Sequence, residues 1–434
     1  MSETKQASLS SFRSYVSPDK VNFFERYGFD FVMGKREGCY LWDMDGAKKL
    51  FNCHSNGGVF NLGHRHPDVI AALQSVLNNL DIGNHVLLSS HRAVLAKVLA
   101  ESMPGDIQYT VFSVGGGEAV DVAIKLARGY TGRTKIVSAK GGYHGHTGYS
   151  LATGDDYYLA PFGPRPIDFI QAPFASLSVL ENIVDKATAA VILETVPATL
   201  GVVVPPREYL GEVRRICDAA GTQLIIDEVQ TGLGRTGKLW GLEHFNVEPD
   251  IVVIGKGLSG GIYPIAATCF RPHLQSVFKD DPFIHISTFG GAELGCAVAL
   301  KVLEISSQPD FLRHVKEVAA RFSKQMDSLL ERHAGFLVEF RQLGMMMGIK
   351  MKNDHCGPAL TKAAYDNDLL MVYANNDRSV CQLLPPLIVS FEQVDEIMEK
   401  LEAAVKKAKT MVPIVRIKEG LAGIGKKIKQ AWGS

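Results

Sequence analysis

Two charged side chains follow two buried apolar runs of the sequence, and their types could do chemistry together. Asp227 ends the run at residues 224–226, and Lys256 comes just after the run at residues 251–254. Continuous apolar runs with β-branched residues fit strands that helices cover on both faces. In open α/β sheets, functional groups gather at the carboxyl ends of the strands. The pattern therefore predicts a carboxylate and an amine at neighbouring strand ends.

An acid and a lysine placed in this way suit a pyridoxal-phosphate site. The lysine would form a Schiff base with the cofactor aldehyde, and the acid would keep a proton on the pyridine nitrogen, so that the ring can accept electrons. An isolated pair would more often be an Asp that caps a helix and a Lys that faces solvent. The residues around the pair therefore have to decide between the two interpretations.

Residues 225–267 carry the pair within a longer pattern, IIDEVQTGLGRTGKLWGLEHFNVEPDIVVIGKGLSGGIYPIAA. This segment resembles the class III aminotransferases, the ornithine or omega-aminotransferase family of fold-type-I pyridoxal-phosphate enzymes. The resemblance implies that Lys256 holds the cofactor and then acts as the base that moves a proton between substrate and cofactor. It also implies that Asp227 keeps the pyridine cationic and that Gln230 bonds the ring hydroxyl oxygen.

A glycine run at residues 115–117 follows an apolar strand and opens a helix. Backbone N–H groups at a helix N-terminus bind phosphate, and glycines allow close approach. The family has Ser-Gly-Thr at these positions, so two hydroxyl groups are missing here. We expect the amides of Gly116 and Gly117 to bind the cofactor phosphate.

Four further residues match family positions. Tyr143 should stack on the cofactor ring, because an aromatic face positions the ring and keeps it dry. His144 and Glu194 are expected to support the same polar layer. Thr288 begins a Thr-Phe-Gly-Gly segment, and in the family this threonine binds the cofactor phosphate of the neighbouring subunit. The resemblance therefore implies a homodimer whose two sites are shared across the interface.

The sequence departs from the family at two positions on the substrate side. Gln382 stands where many members have an arginine that clamps the substrate α-carboxylate with its planar fork. Thr199 stands where some members have the glutamate that pairs with this arginine. The loss of both charges is coherent, because one unpaired buried charge would be costly. We therefore expect a substrate without the usual α-carboxylate contact, with Thr199 and Gln382 near it. It would be a simple or hydrophobic amine, an amino sugar, a lactam, or a biosynthetic aldehyde or ketone.

The composition limits the class of protein. Lys plus Arg and Asp plus Glu are equal at 46 each, which argues against general nucleic-acid binding. Seven cysteines are scattered without a CxxC or a metal-ligand spacing, which indicates buried thiols, a reducing cytoplasmic compartment and no metal site. The first residues contain no apolar run, so no signal peptide is evident, and no stretch approaches the length of a membrane span.

Helical stretches alternate with short apolar runs from residue 68 to about residue 300, which predicts a mainly parallel sheet wrapped by helices. This agrees with the α/β fold of the fold-type-I enzymes, which have a large and a smaller α+β domain. The predicted division is an N-terminal segment that joins the small domain, a large pyridoxal-phosphate-binding domain, the small domain and a basic tail, at residues 1–60, 61–300, 301–410 and 411–434.

The tail has apolar residues at three- and four-residue steps with basic residues between them, which predicts an amphipathic helix. The apolar positions are Ile414, Ile417, Leu421, Ile424, Ile428 and Trp432. Three glycines in this stretch lower its helix propensity. The helix either packs on the body of the protein or docks on a membrane surface or a partner.

The leading prediction is an aminotransferase that moves an amino group between an amino donor and a keto or aldehyde acceptor. A racemase, epimerase or aminomutase of the same fold would share Lys256 and Asp227, so the motifs leave this alternative open. A non-enzymatic scaffold is disfavoured by the intact pair. A dinucleotide-binding enzyme is disfavoured because residues 115–117 lack the GxGxxG spacing.

Overall fold

The computed structural model describes the backbone of residues 4–432 and the side chains of residues 4–417. The strands, numbered in chain order, are β1 (Met33–Glu37), β2 (Tyr40–Asp43), β3 (Lys49–Asn52), β4 (Tyr109–Ser113), β5 (Lys135–Ala139), β6 (Phe169–Ala172), β7 (Thr188–Glu194), β8 (Gln223–Asp227), β9 (Ile251–Ile254), β10 (Ala266–Phe270), β11 (Leu337–Leu343), β12 (Met346–Met351), β13 (Leu369–Leu370), β14 (Val372–Ala374) and β15 (Asp377–Leu383).

The α-helices are α1 (Lys5–Tyr15), α2 (Pro18–Tyr27), α3 (Ser55–Gly58), α4 (Pro67–Leu77), α5 (Ser90–Ser102), α6 (Gly116–Thr131), α7 (Gly148–Thr153), α8 (Asp156–Leu159), α9 (Leu177–Ile183), α10 (Tyr209–Ala220), α11 (Glu293–Ser306), α12 (Pro309–Arg332), α13 (Cys356–Asp366) and α14 (Phe391–Trp432). Short 3-10 segments lie at Ala160–Phe162, Gly241–His244, Lys256–Ser259 and Pro272–Phe278.

A seven-stranded sheet in the order β4-β10-β9-β8-β7-β5-β6 forms the centre of the protein. The strands from β9 to β6 are parallel, and β10 runs antiparallel to both of its neighbours. Every residue of β7, β8 and β9 is buried. The predicted α/β fold with a mainly parallel sheet is therefore confirmed.

Successive residues of the central strands pack into two different apolar cores. In β7, Val191 and Leu193 belong to one core. Ala190 and Ile192 belong to the core on the other side of the sheet. Helix α6 contributes its apolar face to this second core, whereas α10 contributes to the first. The continuous apolar runs of the sequence thus arise because helices cover both faces of the sheet.

Two smaller sheets lie outside the central one. The order is β1-β2-β3-β13 in the first and β11-β12-β15-β14 in the second. Because Leu369 of β13 pairs with Phe51 of β3, the N-terminal hairpin is tied to the C-terminal part of the chain. Phe51 also shares one apolar core with Phe322 and Leu401. The domain boundaries given above remain a prediction.

Helix α14 carries the start of the predicted tail. It runs through Pro413 without a break at residue 411, and Ile414 and Ile417 are exposed on it. The other apolar positions of the predicted tail face lie outside the residues whose side chains are described. Among the described residues, no helix combines the length and apolar character that crossing a bilayer requires.

Candidate active site

Strands β8 and β9 place the acid and the lysine side by side. Asp227 pairs with Val253 in the parallel register, and Lys256 begins the 3-10 segment that follows β9. The backbone of Lys256 has a φ of +38°, a left-handed conformation that is costly for a residue with a side chain. Its Nζ donates a hydrogen bond of 3.3 Å to Oε1 of Gln230.

Burial lowers the pKa of Lys256 below its ordinary value of 10.5, although the negative charges of Asp227 and Glu194 oppose the shift. A lysine with a lowered pKa is more often present as the neutral amine, which is the nucleophilic form. The site thus favours an amine that can attack a carbonyl group.

Asp227 is held from two directions. Its Oδ2 lies 2.8 Å from Nδ1 of His144, and its Oδ1 accepts a 3.0 Å hydrogen bond from the backbone N–H of Val229. Burial lowers the pKa of His144, but the hydrogen bond and the charge of Asp227 outweigh it, and the pKa is raised overall. The hydrogen bond from His144 therefore fixes the direction of the Asp227 carboxylate.

Glu194 extends this polar layer to the next strand. It lies opposite Asp227 in the register of β7 and β8, and its Oε1 accepts a 2.9 Å hydrogen bond from the backbone N–H of Tyr143. Burial raises the pKa of Glu194 to about 7. The Tyr143 ring contacts His146, with ring centroids 5.0 Å apart. Glu194 therefore anchors the loop that carries the predicted aromatic plate.

Helix α6 begins at Gly116, with Gly115 as its N-cap and no capping side chain. A Cβ atom at Gly117 would lie 3.0 Å from the Thr147 hydroxyl oxygen, so this neighbour occupies the space of a side chain. Because Gly116 and Gly117 have no side chains, no side chain of theirs covers the first backbone amides of α6. A cavity of about 290 Å³ is lined by residues of both the helix start and the lysine, including Val114, Gly115 and Lys256.

The predicted substrate residues bond to the backbone. Gln382 is buried and donates from Nε2 to the carbonyl oxygen of Ala198 at 3.3 Å, while Oγ1 of Thr199 donates to the carbonyl oxygen of Gly141 at 3.4 Å. Gln382 therefore contacts the loop after β7 that carries Thr199, and Thr199 contacts the loop after β5. Arg378, the arginine nearest to Gln382 in the sequence, places its guanidinium carbon 5.5 Å from the centroid of the Tyr373 ring.

Within residues 4–417, Thr288 makes no hydrogen bond with the site residues around Lys256. It lies on the exposed segment 286–289. The following glycines, Gly290 and Gly291, pack closely against Phe112 of β4. The Thr288 side chain is therefore exposed to solvent in the single chain.

One feature of the site was missed by the sequence reasoning. Ser55, Asn56 and Gly57 all have positive φ angles, of 50°, 49° and 65°, and form a left-handed turn beside the lysine. A Cβ atom at Gly57 would lie 3.3 Å from Cε of Lys256 and 3.5 Å from Nε2 of Gln230. In the sequence, only the glycine pair Gly57–Gly58 indicates this feature, because glycines allow a turn to approach another part of the chain closely.

The amine, the buried carboxylate and the uncovered helix amides fit the aldehyde, the pyridine nitrogen and the phosphate of pyridoxal phosphate, respectively. The fold and the site thus define a fold-type-I pyridoxal-phosphate enzyme. Among residues 4–417, no group of three or more His, Cys, Asp or Glu side chains could hold a metal ion.

Comparisons with known proteins identify the family. The family model of the class III aminotransferases matches residues 25–405. An uncharacterized aminotransferase from Archaeoglobus fulgidus is 54% identical over 94% of this chain and 96% of its own. A putrescine aminotransferase from Pectobacterium atrosepticum is 33% identical over 95% of this chain and 91% of its own. The ornithine aminotransferase structure from Toxoplasma gondii superposes with a TM-score of 0.85, at 25% identity, over 94% and 96% of the two chains.

The chain therefore belongs to the class III aminotransferase family. The predicted family, its enzymatic nature and its dependence on pyridoxal phosphate are confirmed. As an aminotransferase, the protein uses an amino donor and a keto acceptor.

The raised pKa of Glu194 predicts a pH-dependent stability. The folded state binds this proton more tightly than the unfolded chain, so the contribution is full below the ordinary pKa of 4.5 and is lost as the pH rises through about 7. Glu194→Gln removes this loss. Measured on cofactor-free protein, the Tm of the variant relative to wild type should rise by a few degrees between about pH 5 and about pH 8.

The control for this experiment is Glu399→Gln, which changes an exposed carboxylate on α14. Its Tm difference from wild type should stay constant over the same pH range, because folding does not remove the exposed Glu399 side chain from water. A constant difference for Glu194→Gln as well would contradict the assignment of a buried acid that loses its proton near neutral pH.

Proposed function

We propose that the protein transfers the amino group of an amine that is not held by an α-carboxylate clamp to a keto or aldehyde acceptor. The observation that carries this proposal is the neutral substrate side of the site. Gln382 and Thr199, which form this side, are uncharged and stand where the family resemblance gives a charged pair. Gln382 bonds to the carbonyl oxygen of Ala198, and Thr199 bonds to the carbonyl oxygen of Gly141. The relative named putrescine aminotransferase supports the proposal, because putrescine is a diamine without a carboxylate.

Pyridoxal phosphate, when bound, supplies a ring that accepts electrons from the substrate carbon. In the proposed mechanism, Lys256 holds the cofactor and then moves the proton at the substrate carbon. Its lowered pKa suits both roles, because a neutral amine is a nucleophile and a base near neutral pH. The catalytic roles of Lys256 and Asp227 thus follow from their positions at neighbouring strand ends.

The other predicted residues bind and orient the cofactor. Asp227, fixed by His144, would keep the ring nitrogen protonated, and Gln230 would hold the ring hydroxyl oxygen. The amides of Gly116 and Gly117 bind the phosphate, as the positive end of a helix favours an anion. Tyr143, anchored by Glu194, covers the face of the ring and excludes water.

We also propose a homodimer in which Thr288 of each subunit completes the phosphate site of the other. The support is the exposed apolar surface around Thr288, which includes Phe283, Ile284, Ile286 and Phe289. Contiguous exposed apolar residues of this kind mark protein–protein contacts. We further propose that the protein works in the cytoplasm, since its seven cysteines are all free and buried.

The role of Lys256 predicts the effect of removing its amine. Lys256→Ala should lower turnover at least about a thousandfold, because both the holding amine and the base are lost. Far-UV circular dichroism and the Tm of the cofactor-free protein should change little. Lys135→Ala is the control, because this half-buried lysine lies at the amino end of β5, opposite the site. A Lys256→Ala variant with wild-type turnover would refute the mechanism.

The neutral substrate side predicts the preferred donor. Purified holoprotein is mixed with single amino compounds without any acceptor, and its visible spectrum is recorded. We expect terminal amines and diamines to convert the cofactor to its amine form with kcat/KM at least about tenfold above glutamate and alanine, since Gln382 stands at the position of the family's clamping arginine. A preference for the α-amino acids would contradict the proposed substrate class.

The same experiment separates the alternative reaction. A racemase, epimerase or aminomutase would leave the cofactor spectrum unchanged at the end of the reaction, while the amino compound loses optical purity or is rearranged. Chiral chromatography of the mixture detects this outcome. Such a result would replace transfer by a single-substrate reaction on the same site.

A further inference from the structure

Arg235 is a fully buried arginine whose hydrogen-bond acceptors are all uncharged. Its side chain has no exposed surface. Nη1 donates to the carbonyl oxygens of Pro385 at 2.7 Å and Met345 at 3.2 Å, and Nη2 donates to Oδ1 of Asn61 at 2.7 Å. Burying a cation without a counter-charge is costly, and this burial lowers its pKa. Because its burial does not stabilise the fold, the presence of an arginine at this position needs another explanation.

The three acceptors belong to two parts of the chain that are distant from Arg235 in the sequence. Arg235 lies in the loop that follows Gln230. Asn61 lies between α3 and α4, and Met345 and Pro385 come from the part beyond residue 300. The chain is also tied around the arginine by backbone bonds from Met345 to Arg235 and from Leu387 to Asn61, of 2.9 and 2.7 Å. The guanidinium therefore links three segments of the chain. We call this set of hydrogen bonds around Arg235 the joint.

One arm of this joint leads to the lysine. Asn61, held by Arg235, donates from Nδ2 to the carbonyl oxygen of Leu233 at 3.4 Å. The same Nδ2 would lie 3.0 Å from a Cβ atom built on Gly257, the residue after Lys256. A shift of Asn61 would therefore displace the start of the 3-10 segment, which carries the amine of Lys256.

The other arm leads to the substrate side. Pro385 lies three residues after Gln382, at the end of the segment that leaves β15. This segment is held at its start by the bond from Gln382 to Ala198, in its middle by Leu384 to Cys53, and at its end by Arg235. Without the last bond, the segment would lose one of its fixed points.

We propose that Arg235 is a positioning residue that sets the distance between Lys256 and the substrate side of the pocket. The Arg235 guanidinium bonds both to Pro385, in the segment after Gln382, and to Asn61, which lies beside Lys256. The positions of Lys256 and Gln382 are therefore both fixed relative to the same side chain. This inference rests on the proposed roles of Lys256 and Gln382. Arginine suits the task, because its planar fork directs several donors at fixed angles, whereas the lysine amine is a flexible point charge.

The test compares Arg235→Lys with Arg214→Lys in the holoenzyme. Arg214 is also largely buried, at 15% exposure, and bonds to Asp250 at the amino end of β9, away from the site. Both changes keep the charge and remove the planar fork. We expect Arg235→Lys to lower kcat/KM for a terminal amine by about tenfold to a hundredfold, through a lower kcat and a higher KM, because small displacements of reacting groups are costly. Arg214→Lys should lower the Tm and leave kcat/KM within about twofold.

A purely structural role for Arg235 predicts a different result. In that case, both variants would show equal kinetics at a temperature well below their Tm values, and the proposal would be overturned. Wild-type kinetics of Arg235→Lys would overturn it as well.

Hydrogen exchange gives a readout that does not depend on activity. In Arg235→Lys holoprotein, the amides of Met345 and Leu387 should exchange at least about tenfold faster than in wild type, since their bonds lie beside the lost fork. The amide of Ile225 in the central strand should not change. If wild type turns over no amine, the proposed function fails, while unchanged exchange at Met345 and Leu387 would refute the joint itself.

Discussion

The parallel register of three buried strands is the constraint on which the site depends. Glu194 at the end of β7 lies opposite Asp227 at the end of β8, and Asp227 lies opposite Val253, three residues before Lys256. A slip of one residue would turn each side chain to the opposite face of the sheet. The two apolar cores prevent such a slip, because alternate residues of each strand fill different cores.

This register gathers charges that a protein interior otherwise avoids. Two acids, an imidazole and an amine share one edge of the sheet, and each offsets part of the desolvation of another. Burial lowers the pKa of Lys256 and raises that of Glu194, while the contact with Asp227 raises the pKa of His144. Strongly perturbed ionisable groups gathered in this way are typical of catalytic sites.

The sequence was sufficient for features that depend on neighbours in the chain. The apolar runs that end at Asp227 and near Lys256, and the glycines that open helix α6, are local patterns with a direct physical meaning. The joint at Arg235 could not be found in this way, because its partners Asn61 and Pro385 are 174 and 150 residues away. Thr288 is a different case, since its predicted role needs a second subunit.

The central claim is that Lys256 is the residue that holds pyridoxal phosphate. The most direct measurement is to reduce the holoprotein with borohydride, which fixes the cofactor to its lysine, and to locate the modified residue by mass spectrometry of proteolytic peptides. The account predicts one modified lysine, Lys256, in the peptide that follows β9. Stoichiometric modification of any other lysine, or a protein that takes up no cofactor, would contradict it.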